Sequence, residues 1–120
     1  MTAAPVGDDI AYDPTSGAFT LTEAGTYLAM WDMLLRVNNV PSGNIVVALE
    51  SADGNTRYAL SGVTTATSTQ TGVVSGSAVF TAQAGDTIVL RNRSGRAIRF
   101  STAAGGNDSY SANVTVVRLA

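Results

Sequence analysis

Between Gly25 and Val37 the chain reads GTYLAMWDMLLRV, a run with two apolar faces that constrains the fold more than any other stretch. The odd positions Tyr27, Ala29, Trp31, Met33, Leu35 and Val37 are apolar without a break. The even positions Leu28, Met30 and Leu34 are apolar as well, with Asp32 and Arg36 between them. A helix is the competing reading, because Tyr27, Met30, Trp31 and Leu34 follow helical spacing and Leu and Met favour helices. The unbroken odd-face alternation, the glycine at the start and the strand-like neighbours favour a strand over 26–37. In a monomer a sandwich strand buries one face and wets the other, so it alternates apolar with polar. Here the even face keeps Leu28, Met30 and Leu34, each worth roughly 1.5–3 kcal/mol buried rather than exposed, and such a face needs a partner.

The remaining segments read the same way. NIVVALES follows the turn VPSGN, TRYALSGV follows SADGN, and the two form a hairpin around Asp53-Gly54. Strands are expected at 45–51, 72–82, 87–92 and 111–119, with shorter ones in DIAYD, AFTLT and AIRF. The stretch Ser61 to Gly72, SGVTTATSTQTG, reads as an exposed Ser/Thr-rich loop with a frayed edge. About eight to ten short strands without a helix longer than a turn make a sandwich or a jelly roll. With 120 residues, 45% of them apolar, the chain suits one core. Residues 1–9 are expected to be a flexible segment or an expression remnant, and 10–120 a single domain. MTAAPVGDDI lacks the basic and apolar regions of a signal peptide, and no apolar run approaches the ~18 residues of a membrane span.

One phrase occurs twice. FTLTEAGTYL starts at Phe19 and FTAQAGDTIV at Phe80; both run Phe-Thr, a polar link, Ala-Gly, then a new apolar run. The structural reading is two similar corners, with Gly25 and Gly85 supplying the change in backbone sign that such corners need. Two binding motifs are the alternative.

Absent residues narrow the chemistry. There is no Cys, His or Lys, and all seven basic residues are Arg. No disulfide, thiolate site or imidazole ligand can form, and no ordinary proton shuttle is available near neutral pH. Ser and Thr are plentiful but lack a His or Lys to activate them, and the nine acids sit mainly in turns, so an enzyme is not expected. No cofactor is expected either; a hard cation such as calcium has oxygen-rich loops at Asp53 and Asn55 or Asn107 and Asp108, without EF-hand spacing. The net charge of −2 disfavours a nucleic-acid partner. Arg91, Arg93, Arg96 and Arg99 form the one concentration of charge. A tip at 92–97 would let Arg91, Arg93 and Arg96 meet an acidic glycan, since planar guanidinium donors suit an oxyanion; a solvated loop is the plainer reading. Asn92, Asn107 and Asn113 each begin an N-x-Ser/Thr triplet, close to chance in so Ser/Thr-rich a chain.

The phrase YDPTSGAFTLTEAGTYLAMWDM resembles the opening strands of the jelly roll shared by the tumour necrosis factor family and the complement globular heads. There a strand ending in Phe-Thr precedes a Gly-x-Tyr strand, matched here by Phe19-Thr20 and Gly25-Thr26-Tyr27. AVFTAQAGDTIVLRN resembles the later Ala-Gly-Asp corner of that fold, and SANVTVVRLA its last strand. Within this superfamily the chain resembles the C-terminal domains of bacterial collagen-like surface glycoproteins of the spore exosporium. No Gly-x-y repeat is present in the sequence itself.

The resemblance implies an all-β, tumour-necrosis-factor-like jelly-roll sandwich of two antiparallel sheets. It further implies a homotrimeric, non-enzymatic head that caps and aligns a collagen-like stalk, outside the cell on a spore or bacterial surface. Host or surface glycans or proteins would be its partners, without membrane insertion. In the family, the strands corresponding to 26–37 and 111–119 line the threefold axis, which places Leu28, Met30, Asp32, Leu34, Val117 and Leu119 at the trimer interface. Val114 and Val116 are assigned to the core. The alternative is a carbohydrate-binding trimeric tip, as in a phage tail fibre or another surface lectin.

Overall fold

A computed structural model describes residues 2–6, 9–37, 42–67, 72–95, 98–100, 103–104, 107–108 and 112–120, with side-chain surroundings for 9–33, 45–62, 73–95 and 113–120. The two-faced run is a single strand, β4 (Gly25–Val37), and the fold is built around it. Twelve strands and no helix are found among the described residues. The others are β1 (Thr2–Val6), β2 (Ile10–Asp13), β3 (Ala18–Leu21), β5 (Ser42–Ser51), β6 (Arg57–Thr67), β7 (Gly72–Ala82), β8 (Asp86–Asn92), β9 (Ile98–Phe100), β10 (Ala103–Ala104), β11 (Asn107–Asp108) and β12 (Ala112–Arg118). One five-stranded sheet has the order β1-β12-β4-β7, with β9 also on β4; the second has the order β2-β3-β8-β5-β6, and β10 and β11 pair only with each other. Every pairing is antiparallel except β1 on β12. The chain changes sheet between β1 and β2, β3 and β4, β4 and β5, β6 and β7, β7 and β8, and β8 and β9. These crossings make the two sheets a jelly-roll sandwich, as the sequence implies.

The odd face of β4 supplies the core. Tyr27 and Ala29 are fully buried, Trp31 and Met33 nearly so, and Val114 and Val116 join them from β12. Phe19, Leu21, Ile45, Val47, Leu49 and Ile88 close the core from the opposite sheet. Trp31 is opposite Gly76 in the register, and a Cβ there would lie 2.5 Å from the indole ring. The indole N–H donates to Ser61 Oγ at 2.9 Å, so the ring spans from one sheet to the other with its polar atom satisfied. The side chain of Leu35, expected in the core, lies outside the described set.

Two expectations need correction. Ser61 to Gly72 is not a loop throughout, since β6 continues to Thr67, pairing Ser61 with Val47 and Thr67 with Ser42. Its Ser, Thr and Val content suits a pleated edge as well as a loop. Residues 68–71 are not described. Within 1–9, Thr2–Val6 runs parallel to β12 from Thr2↔Asn113 to Val6↔Val117. The two Ala-Gly corners also differ. Gly85 has φ +88, as expected, whereas Gly25 is absent from the positive-φ glycines. At Gly25 the constraint is space: a Cβ would collide with the carbonyl oxygen of Ala120 and lie 2.9 Å from Arg118 Nε.

The repeated phrase is therefore two corners that pair with each other. Phe19 of the first is opposite Ile88 of the second, and Phe80 of the second is opposite Tyr27 of the first. The Gly85 N–H donates to Leu21 O at 2.7 Å, which ties one corner to the other. Tyr27 closes its own corner by donating its hydroxyl to Glu23 O at 2.6 Å.

Candidate functional site

Two surfaces stand out, one on each sheet. The first is the outward face of β12, β4 and β7. The register puts Leu28 between Val117 and Val79, Met30 between Thr115 and Ser77, and Asp32 between Asn113 and Ser75; Leu34 is opposite Val73. Met30 is 44% exposed, Leu119 54%, Val73 60% and Val79 65%, while Leu28 and Val117 are half-buried. The side chain of Leu34 lies outside the described residues. Asp32 is exposed and accepts a hydrogen bond from Asn113 Nδ2 at 3.3 Å, at the edge of a shallow depression lined by Met30, Trp31 and Thr115. The structure thus brings five of the six expected interface residues to one region. Val73 and Val79 were not anticipated, although their alternation with Val74 and Phe80 marks the outer face of β7.

The second surface lies outside β5. Glu50 points away from the core yet is buried, with its side chain 1% exposed. A break in the β5–β6 register explains part of this. Leu49 is opposite Ala59 but Glu50 is opposite Arg57, so Tyr58 is the extra residue of a bulge. The bulge sets Arg57 beside Glu50 and leaves Tyr58 to pack on Phe80, with ring centroids 4.6 Å apart. Arg57 Nε and Arg93 Nε donate to Glu50 Oε2 at 3.1 and 2.9 Å; Arg91 Nη1 and Arg93 Nη2 donate to Oε1 at 2.9 and 2.6 Å. Arg91 Nη2 also donates to Ala52 O at 2.9 Å. The hydrogen bonds from Arg93 are the largest influence on the Glu50 carboxyl; with those from Arg57 and Arg91 they outweigh burial and bring its pKa down from 4.5 to about 2.

Arg91 and Arg93 are thus gathered on a carboxylate rather than displayed on a free loop tip. Arg96 and the side chain of Arg99 lie outside the described residues. Glu50 and Arg57 were missed by sequence reasoning; an acid in the middle of the apolar NIVVALES strand was the signal for the first. Of the calcium-type oxygens, Asp53 Oδ1 accepts from Ser51 Oγ and the Asn55 N–H. No group of three or more metal-binding side chains is found among the described residues.

No family model matches the chain, and no curated protein matches it. Among solved structures it is similar to the globular domain of zebrafish complement 1qA protein. Identity is 23% and the TM-score 0.56, covering 78% of this chain and 68% of that one. The likeness shows the fold: a jelly roll of the complement-head and tumour-necrosis-factor type.

Proposed function

We propose that the chain is a non-enzymatic head domain that assembles as a homotrimer through the outward face of β12, β4 and β7. The observation that carries this is the unpartnered apolar row Val117–Leu28–Val79 with Met30 and Leu119 beside it, on a face where Asp32 is the one charged side chain among the described residues. Packing three copies around these strands removes that face from water and closes the assembly by symmetry. The finer reading is that the trimer caps and aligns a collagen-like stalk on a spore or bacterial surface, outside the cell. Three collagen chains must start in register, which a trimeric head provides; the support is the resemblance of the opening, Ala-Gly-Asp and terminal phrases.

Light scattering at micromolar concentration tests the assembly, with three times the monomer mass expected. Met30→Arg sets three cations close together on one face and yields monomers or aggregates. A wild-type monomer, or a Met30→Arg trimer of unchanged stability, sinks the reading.

A further inference from the structure

Beside the three arginines lies a polar cleft. The β5–β6 turn and the β7–β8 corner enclose it with Ser51, Asp53, Thr56, Tyr58, Asp86 and Thr87. Ala52 joins the two features: it lines the cleft, and its carbonyl oxygen accepts from Arg91. Gly54 at the tip of the turn sits over the guanidinium groups, its missing Cβ 3.3 Å from Arg91 Nη1 and 4.0 Å from Arg93 Nη2.

The electrostatics of this surface are divided. On one side three guanidinium charges surround one carboxylate, an excess of two positive charges held in place by Glu50. The side chains of Arg57, Arg91 and Arg93 keep 47%, 32% and 40% of their surface exposed. Each guanidinium has five N–H donors in a planar fork, so edges remain for an incoming oxyanion. On the other side Asp53 and Asp86 each commit one oxygen to their own turn, Asp53 Oδ1 to the Asn55 N–H and Asp86 Oδ2 to the Gln83 N–H. A carboxylate has a second oxygen to offer, and ligand hydroxyls are its natural donors. Burial, and then the charges of Asp86 and Asp53, raise the pKa of the Tyr58 phenol, consistent with both carboxylates facing the same cleft as that hydroxyl.

A dense polyanion would satisfy the arginines but be repelled by Asp53 and Asp86. A neutral sugar would suit the cleft but leave the arginines unused. We propose that this surface binds an oligosaccharide bearing a single carboxylate or sulfate, with the oxyanion on Arg57, Arg91 and Arg93 and the adjoining ring hydroxyls on Asp53, Tyr58 and Asp86. The site belongs to one protomer and does not rest on the trimer reading.

Amide chemical-shift titrations in metal-free buffer test it with 3′-sialyllactose, 3′-sulfated lactose, lactose, a heparin hexasaccharide and inorganic sulfate. Saturable shifts at 51–58, 85–87 and 91–95 are expected with one of the two singly charged sugars at a Kd of about 0.1–1 mM, and the better of the two identifies the oxyanion. Lactose binds at least about tenfold more weakly, a loss of about 1.4 kcal/mol. Tyr58→Phe keeps the ring on Phe80 and weakens sugar binding about three- to tenfold, leaving the response to inorganic sulfate unchanged. Arg93→Gln, or Arg57→Gln if the first variant fails to fold, weakens both. The proposal is overturned if no singly charged sugar saturates below about 10 mM, if lactose binds equally well, or if Tyr58→Phe changes nothing. Tightest binding by heparin would also overturn it, in favour of an unspecific cationic patch. Light scattering on the same samples reads the oligomeric state separately.

Discussion

A carboxylate taken out of water stays ionised only if hydrogen bonds and counter-charges replace its hydration, and at Glu50 three guanidinium groups do so. Its folded pKa of about 2 lies below the ordinary 4.5, so the ionised cluster stabilises the fold fully above pH 4.5 and is lost as pH falls toward 2. Urea midpoints across that window should fall for the wild type. Asp13 and Asp53 are lowered as well, by hydrogen bonds led by the Thr15 N–H and the Ser51 hydroxyl respectively, so the Glu50 part is the difference from Glu50→Gln. That variant should start from a lower midpoint at pH 7, below that of the exposed control Glu23→Gln, and lose less on acidification. The Trp31–Gly76 pair is a matter of volume instead. Trp31→Ala should cost about 3–5 kcal/mol by opening a cavity, and Gly76→Ala about 1–3 kcal/mol by pressing a methyl into the indole. The double variant should cost less than the sum, because the methyl enters space the ring has left; denaturant melts of all three check this. Trp31 was legible as a core residue from the odd-face alternation alone. Gly76 was not, because its need for a hydrogen side chain comes from strand register, which no local pattern encodes.

At the level of elements, the corners show how similar sequence can serve different constraints. Gly85 has φ +88, where a side chain is strained whatever the space around it. Gly25 lies at the start of β4 against the end of the chain, with the Thr26 N–H donating to Ala120 O at 3.0 Å and the Leu119 N–H to Thr26 O at 2.7 Å. Gly25→Ala should therefore destabilise the full chain by about 1–3 kcal/mol but a chain ending at Leu119 by clearly less, as a double-mutant cycle of thermal melts would show. The Ala-Gly phrase announced both corners and the crossings they make. It gave no sign of which physical need each glycine meets. The misreading of Ser61–Thr67 has a similar origin: Ser and Thr serve loops and solvent-facing strands alike, and only pairing with β5 decides. The bulge that sets Arg57 beside Glu50 was equally hidden, since it arises from a one-residue slip between two strands.

Over the whole molecule, the sequence was most informative where one strand had to satisfy two environments. The double-faced pattern of β4 led directly to the outward positions Leu28 and Met30, and the terminal strand gave Val117 and Leu119. The contribution of β7 through Val73 and Val79 required the sheet order. The Glu50 cluster was half legible: its arginines were visible as a concentration of charge, its carboxylate was not recognised as their centre. The mutual pairing of the two Ala-Gly phrases also has a consequence in time. Leu21 and Gly85 meet across some sixty residues, and the sheet neighbours of β4, namely β7, β9 and β12, all come later in the chain. A chain emerging from the ribosome can form the β2–β3 and β5–β6 hairpins early, but closing the sandwich must wait for the second phrase, and such long-range closure is slow. A fragment of residues 1–79 should accordingly lack the near-ultraviolet signal of a packed Trp31, while the full chain refolds in milliseconds to seconds. A packed signal from the fragment would show that the two halves do not need one another; a cell making this chain otherwise carries its most apolar strand unprotected until β7 has been made.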